Sequence, residues 1–351
     1  MSRNSTFPAS SNRYVVCHLA AGRHLMKLLI AYDGSQCSES ALDDLTNAGL
    51  PETGEALVMS VAEVWMPPPP PSAVEIVEMA VKTEGVLALE RKYIPNANVI
   101  KNADQMAVRA AARFQARFPR WKIDHEAQWG SPNWELFSKA EDWKADLIVA
   151  GSHGRTALGR FFLGSISQWL LNEAHCSVRV ARGKVYEPNL PVRLIVGLDG
   201  SENARLALEE VASRHWPNNS EAHVVIFDQP LESIIVGDFV PPIRKAFQEC
   251  NEEENAHSLR IARNAADYLR EKGLCAEAIV KVGDPKQGLV RYAEEWRADC
   301  IFIGATGLTN RLERFLLGST AAAVAARAHC SVEVVRKRGR RESPEGNGNG
   351  D

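Results

Sequence analysis

The sequence predicts an α/β fold of two tandem doubly wound, mainly parallel five-stranded sheets flanked by helices. Three observations predict it: a long internal repeat, short β-branched runs alternating with helical stretches in each copy, and a glycine loop closing each copy after a buried strand-like run. Strands separated by helices of this length build parallel sheets covered on both faces, because a parallel neighbour needs a long crossover connection. Ligands of such sheets lie at the carboxyl edge where chain direction switches, and the glycine loops fall at that edge.

The elements of the first copy follow in order. Residues 28–32 read as the first strand, a helix follows near 38–48, and a second strand spans 56–61. Pro67 to Pro71 can continue neither strand nor helix and read as a stiff surface connector, in preference to a docking motif for a proline-recognising partner. A long helix around 98–118, a strand at 122–128, a helix at 132–144 and a strand at 147–150 come next. A helix at 165–173 and a strand at 177–181 complete the unit.

The second copy repeats these landmarks. Leu28 to Ser35 (LLIAYDGS) matches Leu194 to Ser201 (LIVGLDGS), and an Ala-Leu pair follows each after the same five residues. Trp129-Gly-Ser-Pro132 matches Val282-Gly-Asp-Pro285, Arg160 to Ser165 (RFFLGS) matches Arg314 to Ser319 (RFLLGS), and Ala174 to Val178 (AHCSV) matches Ala328 to Val332 (AHCSV). Residues 26–183 and 192–337 are therefore expected to be two domains, with 184–191, rich in Gly and Pro, as their linker.

A chain of 351 residues supports two cores, and 45% hydrophobic with 24% charged residues is an ordinary globular composition. The net charge of -3 gives no electrostatic reason to expect nucleic acid or an anionic membrane. No apolar stretch reaches the roughly 18 residues of a membrane span. Seven cysteines without paired spacings read as reduced, buried thiols, and hence as a cytoplasmic protein. Residues 1–25 are basic and free of acidic residues; an extended or disordered tail is expected there in preference to a targeting peptide. Residues 338–351 are expected to be a solvated tail whose basic cluster is likewise not a nucleic-acid site.

The chemistry points to an anion. Gly151-Ser-His-Gly154, nine residues, then Gly164-Ser165 forms a loop in which glycines let backbone approach closely and helix-start N–H groups face outward; phosphate is the expected guest. The loop is neither a Walker motif nor the Gly-x-Gly-x-x-Gly dinucleotide fingerprint, so phosphoryl transfer lacks its usual lysine. No catalytic residue is assigned. His153 serves as a phosphate hydrogen-bond partner more simply than as an acid or base, and Thr306 replaces it in the second copy. The adjacent pairs His175-Cys176 and His329-Cys330 are expected to pack in the core and not to bind metal.

With these motifs, residues 26–337 resemble the universal stress protein family in tandem, two-domain form. The resemblance rests on Asp-Gly-Ser after the first strand, the spaced Gly-x-x-Gly to Gly-Ser motif, and the closing His-Cys-Ser-Val-x-Val strand. It implies an adenine-nucleotide alpha-hydrolase-like, Rossmann-like fold that binds ATP or AMP, with magnesium accompanying ATP. Asp33 would contact the adenosine part and Val61 would line the base pocket. Gly151, Gly154 and Gly164 would let the backbone approach, Ser165 and Ser167 would offer hydroxyls, and Arg155 would add a cation. The resemblance also implies pairing through the last strands, here as an internal pseudo-dimer, and leaves homo-oligomerisation open.

The second copy departs from the pattern. Ten residues separate Gly307 from Gly318, Ala321 stands where the first copy has Ser167, and Leu308 stands where it has Arg155. An extra residue should misaim at least one donor, so binding is expected in the first unit. Asp199, Ile226, Gly304, Gly307, Gly318 and Ser319 form a weaker second candidate site. The expected function is a stress-response sensor or signalling module; a slow ATP hydrolase and a nucleotide-free scaffold are the alternatives.

Overall fold

A computed structural model of the chain describes residues 25–63, 83–152, 163–182, 190–229, 241–306 and 317–337. The first unit carries strands β1 (Met26–Ala31), β2 (Gly54–Ala62), β3 (Lys122–Trp129), β4 (Leu147–Gly151) and β5 (Ser177–Ala181). Its helices are α1 (Gln36–Asp44), α2 (Thr83–Arg117), α3 (Pro132–Trp143) and α4 (Ser165–Glu173). The second unit repeats them as β6 (Arg193–Gly197), β7 (Glu221–Asp228), β8 (Cys275–Val282), β9 (Cys300–Gly304) and β10 (Ser331–Val335), with α5 (Glu202–Ser213), α6 (Pro241–Glu271), α7 (Pro285–Trp296) and α8 (Ser319–Arg327).

Each half is a parallel five-stranded sheet, ordered β3-β2-β1-β4-β5 and β8-β7-β6-β9-β10. The two halves join edge to edge, β5 pairing antiparallel with β10, so that ten strands form one continuous sheet. The pleat sends alternate residues to opposite faces. Leu28 and Ile30 enter one core with Phe114, Leu147 and Val149, while Leu29 enters another with Leu57, Ile148 and Leu170. The latter core is shared: Val178 and Val180 of β5 pack with Ile301, Val324, Val332 and Val334 of the second unit. The opposite face of the second unit has its own core around Val192, Leu194 and Val196, with Phe302 and Leu269.

Several local expectations shift. The helix expected near 98–118 begins at Thr83 and carries Pro95 within it, a residue at which a helix reading from sequence naturally stops. The first helix ends at Asp44 and tightens into a 3-10 turn over Leu45–Asn47. Three of the cysteines, Cys176, Cys300 and Cys330, are buried, but Cys37 is half-buried and Cys250 and Cys275 are exposed, on the long α6 and at the start of the edge strand β8; none of these six forms a disulfide. Burial pushes the Cys176 thiol up to about 12, which keeps it inert. The paired histidines do not pack as core: His175 Nδ1 meets Glu141 Oε2 at 2.8 Å and His329 Nε2 approaches Glu294 Oε2 at 3.8 Å. Among the described residues no cluster of three His, Cys, Asp or Glu side chains stands ready to hold a metal, and no helix is long and apolar enough to cross a membrane. The Pro67–Pro71 connector and both tails beyond Leu25 and Lys337 lie outside the described residues.

Candidate functional site

The chain runs outward from β1 to β2 and β3 on one side, and from β4 to β5 on the other. Crossovers therefore leave in opposite directions at the β1/β4 boundary, which opens a crevice beyond the carboxyl ends of these two strands. Ile30 pairs with Val149 across the boundary, so Asp33 and Gly151 leave the sheet side by side. Val61, near the end of β2, is half-buried and packs against the shared core on the neighbouring strand.

The glycine loop is pinned at its neck. Ser152 N–H donates to the Ala181 carbonyl at 3.1 Å, and Gly164 N–H donates to the Ser152 carbonyl at 2.7 Å. Gly164 caps α4 with φ -62° and ψ 149°, and the first ladder bond runs from Gln168 N–H to its carbonyl at 2.9 Å. The N–H groups of Ser165, Ile166 and Ser167 thus lie ahead of the ladder, at the positive end of the helix dipole, and Ser165 is exposed. Gly164 contributes its carbonyl to the helix and its N–H to the neck, so the donors available to an anion begin at Ser165. Ser167 is buried, and its hydroxyl donates to the Gly151 carbonyl at 2.6 Å, tying the helix start to the end of β4.

Gly151 has a second reason to be glycine. A Cβ there would lie 2.8 Å from the carbonyl carbon of Cys37, so only glycine lets the first turn of α1 pack on β4. That turn is organised from Asp33, whose Oδ1 accepts the Ser35 N–H at 2.9 Å, while Ser35 Oγ accepts the Ser38 N–H at 3.2 Å. His153, Gly154 and Arg155 lie outside the described residues.

The second unit keeps the same neck: Ala305 N–H reaches the Val335 carbonyl at 3.0 Å, and Gly318 N–H reaches the Ala305 carbonyl at 2.6 Å. Gly318 caps α8 with φ -64° and ψ 147°, and Ser319 is exposed like Ser165. The extra loop residue is thus taken up between unchanged anchors, within a stretch that includes Gly307 and lies outside the described residues. What differs is the surroundings. Ala321 offers no hydroxyl to Gly304, and Asp199, which also accepts its serine N–H at 2.9 Å, is exposed where Asp33 is half-buried. Asn203 stands where the first unit has Cys37, and its amide donates to the Thr306 carbonyl at 3.3 Å and to the Thr306 hydroxyl.

Ile226 is a correction. The strand registers place Phe227, not Ile226, at the position of Val61: Val61 faces Gln128 and Phe227 faces Lys281. One residue of slip reverses the face, and Ile226 points into the second unit's own core at 5% exposure. Cys37 and Asn203, the two residues that most distinguish the loops, escaped the sequence reading. The constant spacing between the copies carries the signal, since each lies two residues after its Asp-Gly-Ser serine.

Comparison with known proteins agrees with this architecture. The model of the universal stress protein family matches residues 24–182 and again 192–336. A universal stress protein of Mycolicibacterium smegmatis is 32% identical over 200 residues, covering 55% of this chain and 63% of its own length. Universal stress protein MJ0531 of Methanocaldococcus jannaschii is 33% identical over 156 residues, covering 42% of this chain and 84% of its own. In fold, a crystal structure of a universal stress protein from Archaeoglobus fulgidus matches with a TM-score of 0.52 at 21% identity, covering 89% of this chain and 98% of that one. With two matches that together span most of its length, this chain belongs to the universal stress protein family.

Proposed function

We propose that the first unit binds an adenine nucleotide, ATP or AMP, in the crevice between β1 and β4, and that occupancy is the state a stress-response module reports. The observation that carries this reading is the start of α4: a loop closed at its neck stands ahead of three N–H groups and an exposed Ser165 hydroxyl. Donors at a helix start, aided by its dipole, favour a phosphate chain. Asp33 and Val61 flank the same edge, a carboxylate for the sugar and an apolar wall for the base. Within the loop, Gly154 would give the phosphates close approach, and His153 and Arg155 would add donors and charge.

Occupancy of one unit only is supported by three differences in the other. The Asn203 amide engages Thr306 where the loop leaves β9, Ala321 cannot tie α8 to Gly304, and Phe227 replaces Val61. The test is to release small molecules from the purified full-length chain by heat and identify them by mass spectrometry. An adenylate is expected from the native protein and not from Gly164→Val, whose side chain would stand in the phosphate path. A protein that neither carries nor takes up any adenylate would contradict the reading.

A further inference from the structure

The two halves meet along β5 and β10, and the contents of that seam differ on its two sides. The registers make position 179 the counterpart of 333, and position 49 the counterpart of 215. Residues near the approximate twofold between units face their own counterparts: Arg179 pairs with Glu333 across the strands, and His215 N–H donates to the Gly49 carbonyl at 3.0 Å.

Four charged side chains alternate there, almost without solvent. Arg179 is 1% and Glu333 0% exposed. Arg179 Nε donates to Asp44 Oδ2 at 2.7 Å and Nη1 to Glu333 Oε2 at 3.2 Å. The other oxygen of Glu333 accepts from Arg214, which also donates to Glu210 Oε1 at 2.9 Å and to the Ala48 carbonyl at 2.8 Å. Ser331 Oγ donates to Asp44 Oδ1 at 2.7 Å. Burial opposes the charge on both arginines, and the facing carboxylates more than restore it. A dry cluster of this kind tolerates one charge order, because removing or reversing a partner leaves a buried charge uncompensated.

Like units could not reproduce it. Two first units would set Arg179 against Arg179, and two second units Glu333 against Glu333, like charges directly opposite in a buried ladder. Shape discriminates as well. Gly49, at φ 64°, lies under the Trp216 ring, and a Cβ there would come within 2.9 Å of it. Its counterpart in the second unit is His215, so two second units would set Trp216 against a side chain. Other seam contacts are indifferent to the choice: Arg182 Nη2 donates to the Ala325 carbonyl and Arg336 Nη2 to the Leu171 carbonyl, the same exchange made in both directions.

We infer that this seam is selective: its charge order and the seat of Trp216 on Gly49 make each unit's edge strand accept the unlike unit and reject its own kind, so that the partner of the β5 edge is the other half of this chain. Closure of the edge in this way leaves the last strand no open face for a like unit of a second copy.

The test begins with the full chain, carrying a protease sequence inserted within the 184–191 linker and cleaved after folding. The nicked protein is mixed with an isotopically labelled preparation, unfolded in urea, refolded, and weighed by native mass spectrometry. Only pairs of unlike units are expected, and like pairs in statistical proportion would overturn the proposal. In the same assay Arg179→Met with Glu333→Met removes the two charges that oppose each other directly across the strands, and Trp216→Leu removes the steric distinction. Each is expected to release like pairs; if both variants still yield unlike pairs alone, the assigned residues are not the source of selectivity and the proposal falls.

Discussion

Gly151 is held to glycine by packing against the Cys37 backbone, and Ser167 to serine by its bond to the Gly151 carbonyl. In Gly151→Ala the new Cβ meets backbone of Cys37, which cannot swing aside like a side chain. We expect a loss of about 1–3 kcal/mol in urea unfolding, the usual cost of overpacking. Ser167→Ala leaves the Gly151 carbonyl without its hydroxyl donor. A bond worth about 1 kcal/mol to the site's shape corresponds to roughly five-fold weaker adenylate binding, measurable by titration calorimetry; unchanged affinity would make the tie irrelevant to the ligand. A third residue reports on pH. His223 is buried against Trp296 at 3.6 Å between ring centroids, with Tyr292 Oη at 2.7 Å from Nδ1, and Glu277 and Glu221 nearby. Desolvation, partly offset by those carboxylates, lowers its pKa below the ordinary histidine value. The unfolded chain therefore takes up this proton first, and stability falls as pH drops through the ordinary histidine range. His223→Leu, the residue the first unit carries as Leu57, should flatten the fall in melting temperature between neutral pH and about pH 5; an unchanged profile would exclude His223 as the source.

At the scale of elements, what the sequence made legible was whatever the duplication wrote twice. Strand positions, the glycine-loop neck and the closing strands recur in both copies and sit where their periodicity and turn residues place them. Helix ends were less legible. Pro95 reads as a boundary but lies inside α2, because tertiary packing of the later turns, from Ala103 to Phe114, holds the helix in place. The ends of α3 and α7 show the reverse case. Lys144 and Arg297 each close a helix in the left-handed conformation at φ 57°, returning their N–H groups to the last turn, at a position usually given to glycine. Lys144→Gly is expected to raise stability by about 1 kcal/mol, since the native backbone already adopts a conformation that strains an L side chain; a loss in thermal unfolding would show that the lysine contributes more than its backbone costs. At the candidate site Gly151, Gly164 and Ser165 stand at the strand end and helix start where the spacing places them, while Gly154 lies outside the described residues. Its asymmetry was legible only in part: Ala321 is visible in an alignment of the two copies, whereas the engagement of Thr306 by Asn203 depends on how closely α5 approaches β9, where a Cβ on Gly304 would lie 2.5 Å from backbone.

For the whole molecule, ten strands in one sheet put the two crevices on a common framework, joined through the core that Val178, Val180, Val332 and Val334 share. Pairing of the halves followed from the family resemblance; the alternating charges of Asp44, Arg179, Glu333 and Arg214 did not, because those residues lie far apart in the chain and meet only once β5 and β10 are paired. A framework of two such units holding one nucleotide is the central claim, and titration calorimetry of the full-length chain with ATP and with AMP tests it most directly. A single site per chain is expected, lost in Gly164→Val and retained in Gly318→Val. Absence of heat with every adenylate, or equal loss in the two variants, would contradict it.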